Sequence, residues 1–78
     1  MARYTVLLFQ EEGVYSALIP VLGVATYGMT VEHALEMAKE AAELHVQGLI
    51  EDGEPVLEEE EPPIVASVEI AIPVPATA

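Results

Sequence analysis

Carboxylates are the side chains of this sequence with the greatest capacity for chemistry. The chain has 14 Asp and Glu residues, two His residues and no Cys. Paired carboxyls can perform general acid–base chemistry when their environments within one pocket differ. Most Glu residues here instead lie on a predicted solvated helix face or in a predicted linker. The pattern therefore predicts no catalytic carboxylate pair.

Metal binding and nucleophilic catalysis are also poorly supported. His33 and His45 lie about 18 Å apart along a helix axis, so they cannot share one metal ion. We interpret His33 as a surface residue and His45 as a partly buried structural residue. Ser16 and Ser67 have no neighbouring His or Lys in a nucleophile motif. The sequence predicts no catalytic, cofactor or metal site and no enzyme activity.

The charge points to a partner instead. The net charge is −12, with Arg3 and Lys39 the two basic residues. This argues against binding to nucleic acid or to an anionic membrane, which both require Lys and Arg. It fits a basic protein partner, although acidity also keeps a small apolar protein in solution. Candidate partner-binding residues are the exposed helix face and the Glu residues Glu11, Glu12, Glu58, Glu59, Glu60 and Glu61.

The length of 78 residues allows one domain, spanning 1–78. A domain of this size is marginal alone, and without Cys it has no disulfide to stabilise it. Because 53% of the residues are apolar, we expect a homodimer or higher oligomer. The first residues lack the pattern of a signal peptide, so we expect a cytoplasmic protein.

Hydrophobic periodicity predicts an α+β fold, with an antiparallel sheet in the order β-β-β-α-β and one helix packed on a face. The predicted elements are strands at 3–9, 14–19 and 24–27, a helix at 31–51, an acidic and Pro-rich linker at 54–63, a last strand at 64–72 and a tail at 73–78. A hairpin connection at 10–13 joins the first two strands.

The first strand is apolar on both alternating faces, which predicts a helix on one face and a second subunit on the other. In the last strand, Ile64, Val68 and Ile72 share one apolar face. This strand could pair at an edge of its own sheet. The linker could also carry it to the sheet of a neighbour, which is a low-cost route to a dimer.

Several residues in fixed order resemble the HicB-like antitoxin family over roughly 3–57. The residues that carry the resemblance are Tyr15, Ala17, Pro20, Gly23, Gly28, Thr30, Glu32, Ala34 and the helix ending Glu51-Asp52-Gly53-Glu54-Pro55. The turn Pro20-Val21-Leu22-Gly23 lacks the acidic residue and second proline common in the family, and Met29 replaces the usual Asp.

The resemblance implies a partial RNase H-like fold without the metal-binding acids of RNase H. It implies neutralisation of a small basic RNA-cleaving toxin of the HicA type, by covering its RNA-binding surface. Family members that repress their own operon carry a further DNA-binding domain. Because this chain ends about a strand after the linker, we expect no autonomous DNA binding. The alternative is an orphan regulatory or structural homo-oligomer without a toxin partner.

Overall fold

The computed structural model describes residues 2–75 of the chain. They form three strands, β1 (Leu7–Glu11), β2 (Val14–Ile19) and β3 (Val24–Gly28), followed by one helix, α1 (Val31–Glu51). The strands make one antiparallel sheet in the order β1-β2-β3. The helix packs on one face of this sheet, against β2 and β3. The predicted β-β-β-α arrangement is therefore confirmed for these elements.

The first strand lies further along the chain than the predicted 3–9, because the hairpin connection is tighter than 10–13. Glu11 pairs with Val14, so only Glu12 and Gly13 form the turn. Both have positive φ, at 44° and 79°. Two-residue turns with positive φ match the right-handed twist of the strands, and this turn draws Gln10 and Glu11 into β1.

The helix begins at a capped position. The side-chain oxygen of Thr30 accepts a hydrogen bond from the His33 amide at 3.0 Å. The ring Nδ1 of His33 accepts a reciprocal bond from the Met29 amide at 3.1 Å. A Glu or Gln side chain commonly reaches back in this way in a capping box. His33 is therefore an exposed residue that helps to fix the start of the helix.

The helix ends as its sequence predicts. Gly53 has a φ of 68°, and the Glu54 amide donates to the Leu49 carbonyl at 2.8 Å. This left-handed glycine with a reversed hydrogen bond is a Schellman motif, which satisfies carbonyls left without partners at the end of a helix. No helix within residues 2–75 is long and apolar enough to cross a bilayer.

The core consists of small side chains. Ala34 and Ala38 of α1 are buried against Ala17 and Ile19 of β2. Gly28 is also buried, and a Cβ placed there would lie 2.7 Å from the Cα of Ala34. Because Gly28 and the three alanines carry almost no side-chain bulk, the helix backbone lies directly against the sheet.

The segment predicted as the last strand, 64–72, has no strand pairing in the single chain described. Its residues are exposed, and it extends away from the sheet and helix. Pairing at an edge of its own sheet is not observed. The tail predicted at 73–78 is described only to residue 75, and its last residues lie outside the described range.

Gly28→Ala tests the close approach of the helix. The added methyl group meets backbone atoms of His33 and Ala34. We expect it to lower the free energy of unfolding by about 1–3 kcal/mol, measured by urea denaturation.

Gly48→Ala is the matched control, because a Cβ there has no neighbour within 4 Å. Alanine in a helix interior should raise the free energy of unfolding by up to about 1 kcal/mol. Equal destabilisation by both variants would show that the close approach at Gly28 does not determine the stability of the fold.

Candidate protein-binding surfaces

The sheet face opposite the helix is largely apolar and is uncovered. Strand register places Leu7 and Phe9 of β1, Ser16 and Leu18 of β2, and Ala25 and Tyr27 of β3 on this side, which we call the open face. The Phe9 and Tyr27 side chains are 50% and 64% exposed. Exposed aromatic residues on one contiguous face are typical of protein interfaces.

Acidic residues lie at one end of the open face. The hairpin residues Glu11 and Glu12 line a shallow depression together with Val14, Ala25 and Tyr27. This places two of the predicted partner-binding residues beside exposed apolar side chains. The arrangement combines an apolar centre with a charged rim, which suits a basic partner.

A second uncovered apolar surface lies between the start of the chain and the later turns of the helix. It is a groove of about 620 Å³, lined chiefly by Tyr4, Val6, Ile19, Leu35, Ala42, Val46 and Ile50, with Lys39 and Glu43 also at its wall. The groove exists because the helix packs on β2 and β3 and leaves the β1 side of the sheet uncovered.

The predicted linker is anchored to the start of the chain. The Glu59 carboxylate accepts hydrogen bonds from the Thr5 amide at 3.0 Å and from the Thr5 hydroxyl at 2.7 Å. The Tyr4 hydroxyl donates to the Leu57 carbonyl at 2.8 Å. We call these three bonds the clamp. They separate Glu59 from its neighbours in the acidic run, because its carboxylate is occupied within the chain.

The other predicted binding residues in this run remain free at the surface. Glu58, Glu60 and Glu61 are exposed, whereas Glu59 is half-buried. The structure therefore does not place the whole run beside Glu11 and Glu12 as one acidic surface.

Carboxylates also form a ridge on the outer side of the helix. Glu32, Glu36 and Glu40 are exposed and recur every four residues. Like charges at this spacing repel and weaken a helix slightly. A basic partner would relieve the repulsion. The exposed Leu44 continues the same row, but the helix carries no Phe, Tyr or Trp as the open face does.

Among residues 2–75, no three His, Asp or Glu side chains lie close enough together to hold a metal ion. His45 is exposed, not partly buried as expected. It shares the helix face of Ala34 and Ala38 but lies about two turns further along α1, past the residues that are buried against the sheet.

Comparison with known proteins identifies the family. A model of the HicB-like antitoxin of bacterial toxin–antitoxin systems matches residues 4–70. The chain belongs to the HicB-like antitoxin family. A relative, the UPF0150 protein ssr1765 of Synechocystis sp., is 42% identical over 60 residues, covering 74% of this chain and 76% of the relative. No solved structure matches the chain significantly.

The family match reaches beyond the clamp and into the segment that extends from the sheet. Sequence reasoning about this antitoxin-family chain did not identify the groove or the clamp. A signal for the groove was present, because Val46 and Ile50 continue the apolar surface of the helix past the residues that contact β3. No sequence pattern near Thr5 or near Glu59 indicates the clamp, because the two residues are far apart in the sequence.

Glu59→Ala tests the clamp. Hydrogen bonds to a charged, half-buried carboxylate contribute about 1.5–3 kcal/mol, so we expect a loss of about 1–2 kcal/mol in the free energy of unfolding. Urea denaturation measures the change. Glu60→Ala removes an equal charge from an exposed position and should leave stability unchanged. Similar stability of the two variants would mean that the clamp does not hold the linker.

Proposed function

We propose that this protein neutralises a small, basic, RNA-cleaving toxin of the HicA type in the cytoplasm. It acts as a homo-oligomer and covers the surface with which the toxin binds RNA. The observation that supports the proposal most directly is the antitoxin-family match over residues 4–70. The charge of −12 supports it independently, because an RNA-binding surface is basic.

The open face is the surface that we propose for the toxin. Its exposed Phe9 and Tyr27 supply apolar contact area, and Glu11 and Glu12 supply charge at the edge. Interfaces derive much of their affinity from a few aromatic residues, while charged rims set the rate of encounter. The helix ridge and the acidic run at 58–61 have exposed apolar neighbours in Leu44, Leu57 and Ile64, but neither contains an aromatic residue.

We further propose that the β-β-β-α unit is a partial RNase H-like fold that serves binding and not hydrolysis. The Glu side chains of the hairpin point towards a protein partner in this proposal, and no residue is assigned to catalysis. Direct binding to nucleic acid is not part of the proposal, since two basic residues cannot neutralise a phosphate backbone.

An orphan homo-oligomer without a toxin is the second candidate. The exposed apolar segment at 64–72 supports the self-association on which this candidate depends, without requiring a toxin. Ile64 and Val68 are 93% and 84% exposed in the single chain.

Co-expression with the adjacent open reading frame tests the proposal. We expect a small basic protein to co-purify with this chain, and we expect this chain to relieve the growth inhibition that the small protein causes. A homo-oligomer alone, with no growth phenotype from the neighbour, would favour the orphan candidate.

Charge reversal at the hairpin tests the proposed surface. Glu11→Lys together with Glu12→Lys should slow association with the toxin about tenfold at low salt, because opposite charges steer the encounter. Stopped-flow or biosensor kinetics measure the on-rate. For the unchanged protein, raising NaCl from about 50 mM to about 500 mM should also slow association.

Glu36→Lys together with Glu40→Lys is the matched control, with the same change in net charge on the helix ridge. A smaller effect in the control locates the interface at the open face. Equal slowing by both pairs would show that only the overall charge matters, and salt-independent association would contradict electrostatic recognition.

A further inference from the structure

An unpaired apolar segment and an unfilled apolar groove occur in the same chain. We propose that residues 64–72 of one copy lie in the groove of a second copy, which holds the two copies together. This inference rests on the self-association included in the proposed function, and it is independent of the toxin.

The segment has the pattern of a half-buried strand but nothing to bury against. Its alternating apolar side includes Ile64, Val68, Ile70 and Ile72, which are 93%, 84%, 74% and 81% exposed. A contiguous row of exposed branched side chains is rare on a monomer and marks a contact surface. The other side carries Ser67 and Glu69, which suit a solvated or rim position.

The groove has the complementary character. Its walls are apolar side chains from the start of the chain, from β2 and from the helix, including Val6, Ile19 and Val46. Its volume of about 620 Å³ lies within the range that is usual for the ligand pockets of proteins. It can therefore receive a row of side chains from one face of a strand.

The segment does not fill its own groove in the described chain, because no residue of 62–75 lines the groove. The clamp holds Leu57 and Glu59 beside Tyr4 and Thr5, and the chain bends directly afterwards at 60–61. Pro62 and Pro63 follow; they favour extended backbone and have no amide hydrogen to pair with a strand.

The dimensions of the molecule show that it is more extended than a compact domain. The radius of gyration is 16.8 Å, and the longest dimension is 57 Å. A compact chain of this length would have a radius of gyration of about 11.5 Å. The segment thus extends far enough from its own sheet to contact another molecule.

Charge bears on the position of the strand along the groove. Glu69 is the charged residue within 62–75, and the groove wall carries Lys39 together with Glu43 and Glu51. With its apolar side in the groove, the segment can place Glu69 at the rim near Lys39 and away from the two carboxylates. This arrangement would favour one position of the strand along the groove.

Disulfide trapping tests the arrangement directly, because the chain contains no Cys. Val46→Cys places a thiol in the groove, and Val68→Cys or Ile72→Cys places one in the segment. We expect a disulfide-linked pair when a groove variant and a segment variant are refolded together and oxidised. Each variant oxidised alone should give much less linked product.

No mixed disulfide from either segment position would overturn the inference. An intramolecular disulfide in a chain carrying both Val46→Cys and Val68→Cys, with the mass of one chain, would also overturn it. That result would mean that the segment closes on its own groove.

Oligomeric mass provides the second measurement. Val68→Glu should raise the dissociation constant of the oligomer more than about tenfold, because it places a charge in an apolar site. Ser67→Glu adds the same charge on the other side and should have little effect. Both residues are exposed in the single chain, so circular dichroism should show that both variants remain folded.

The outcomes separate the two proposals. A monomeric unchanged protein would contradict self-association and this inference together. An oligomer that tolerates Val68→Glu would contradict only the groove assignment. Neutralisation of a toxin by a monomer would leave the antitoxin proposal standing and overturn the exchange.

Discussion

The close approach of α1 to the sheet at Gly28 determines where the other parts of the molecule can lie. A helix that contacts a sheet through glycine and alanine is held by backbone proximity and not by large interlocking side chains. Ala34 lies against Gly28, and Ala38 continues the same contact stripe. The helix is thereby fixed over β2 and β3, so the β1 side of the sheet is left without a cover.

A core of small residues stabilises a small domain only modestly. Large side chains contribute most of the free energy of hydrophobic burial, and within residues 2–75 Ile19 is the one large side chain that is buried. Much of the apolar content is therefore on the surface, at the open face, in the groove and along 64–72. The small core makes this chain only marginally stable as a monomer. It also leaves apolar side chains on the surface, where a partner can cover them.

Local signals predicted the elements well and tertiary contacts poorly. The helix spans the predicted residues because Thr30, the apolar period and Gly53 agree. The predicted bounds of the first strand were wrong because Glu12 adopts a positive φ, which is uncommon for a residue other than glycine and is not indicated by the sequence. The half-buried period of 64–72 predicts a strand, but a strand also needs a neighbouring backbone, and in the single chain this segment pairs with neither edge strand of the sheet. The candidate residues Glu11 and Glu12 were proposed from charge alone, and the sequence analysis assigned no role to the aromatic residues beside them.

The clamp has a consequence for the order in which this chain folds. The two hairpin-connected strand pairs and the β3–α1 contact join neighbours in sequence, so their loops close at little entropic cost. The bonds from Thr5 to Glu59 close a loop that contains all three strands and the helix. Because the entropic cost of closing this loop is larger, we expect these bonds to form last. They are also the contacts that open first by local unfolding, because few buried groups support them. A brief opening of the clamp would release one wall of the groove, so in the proposed oligomer subunits could exchange faster than the chain unfolds globally.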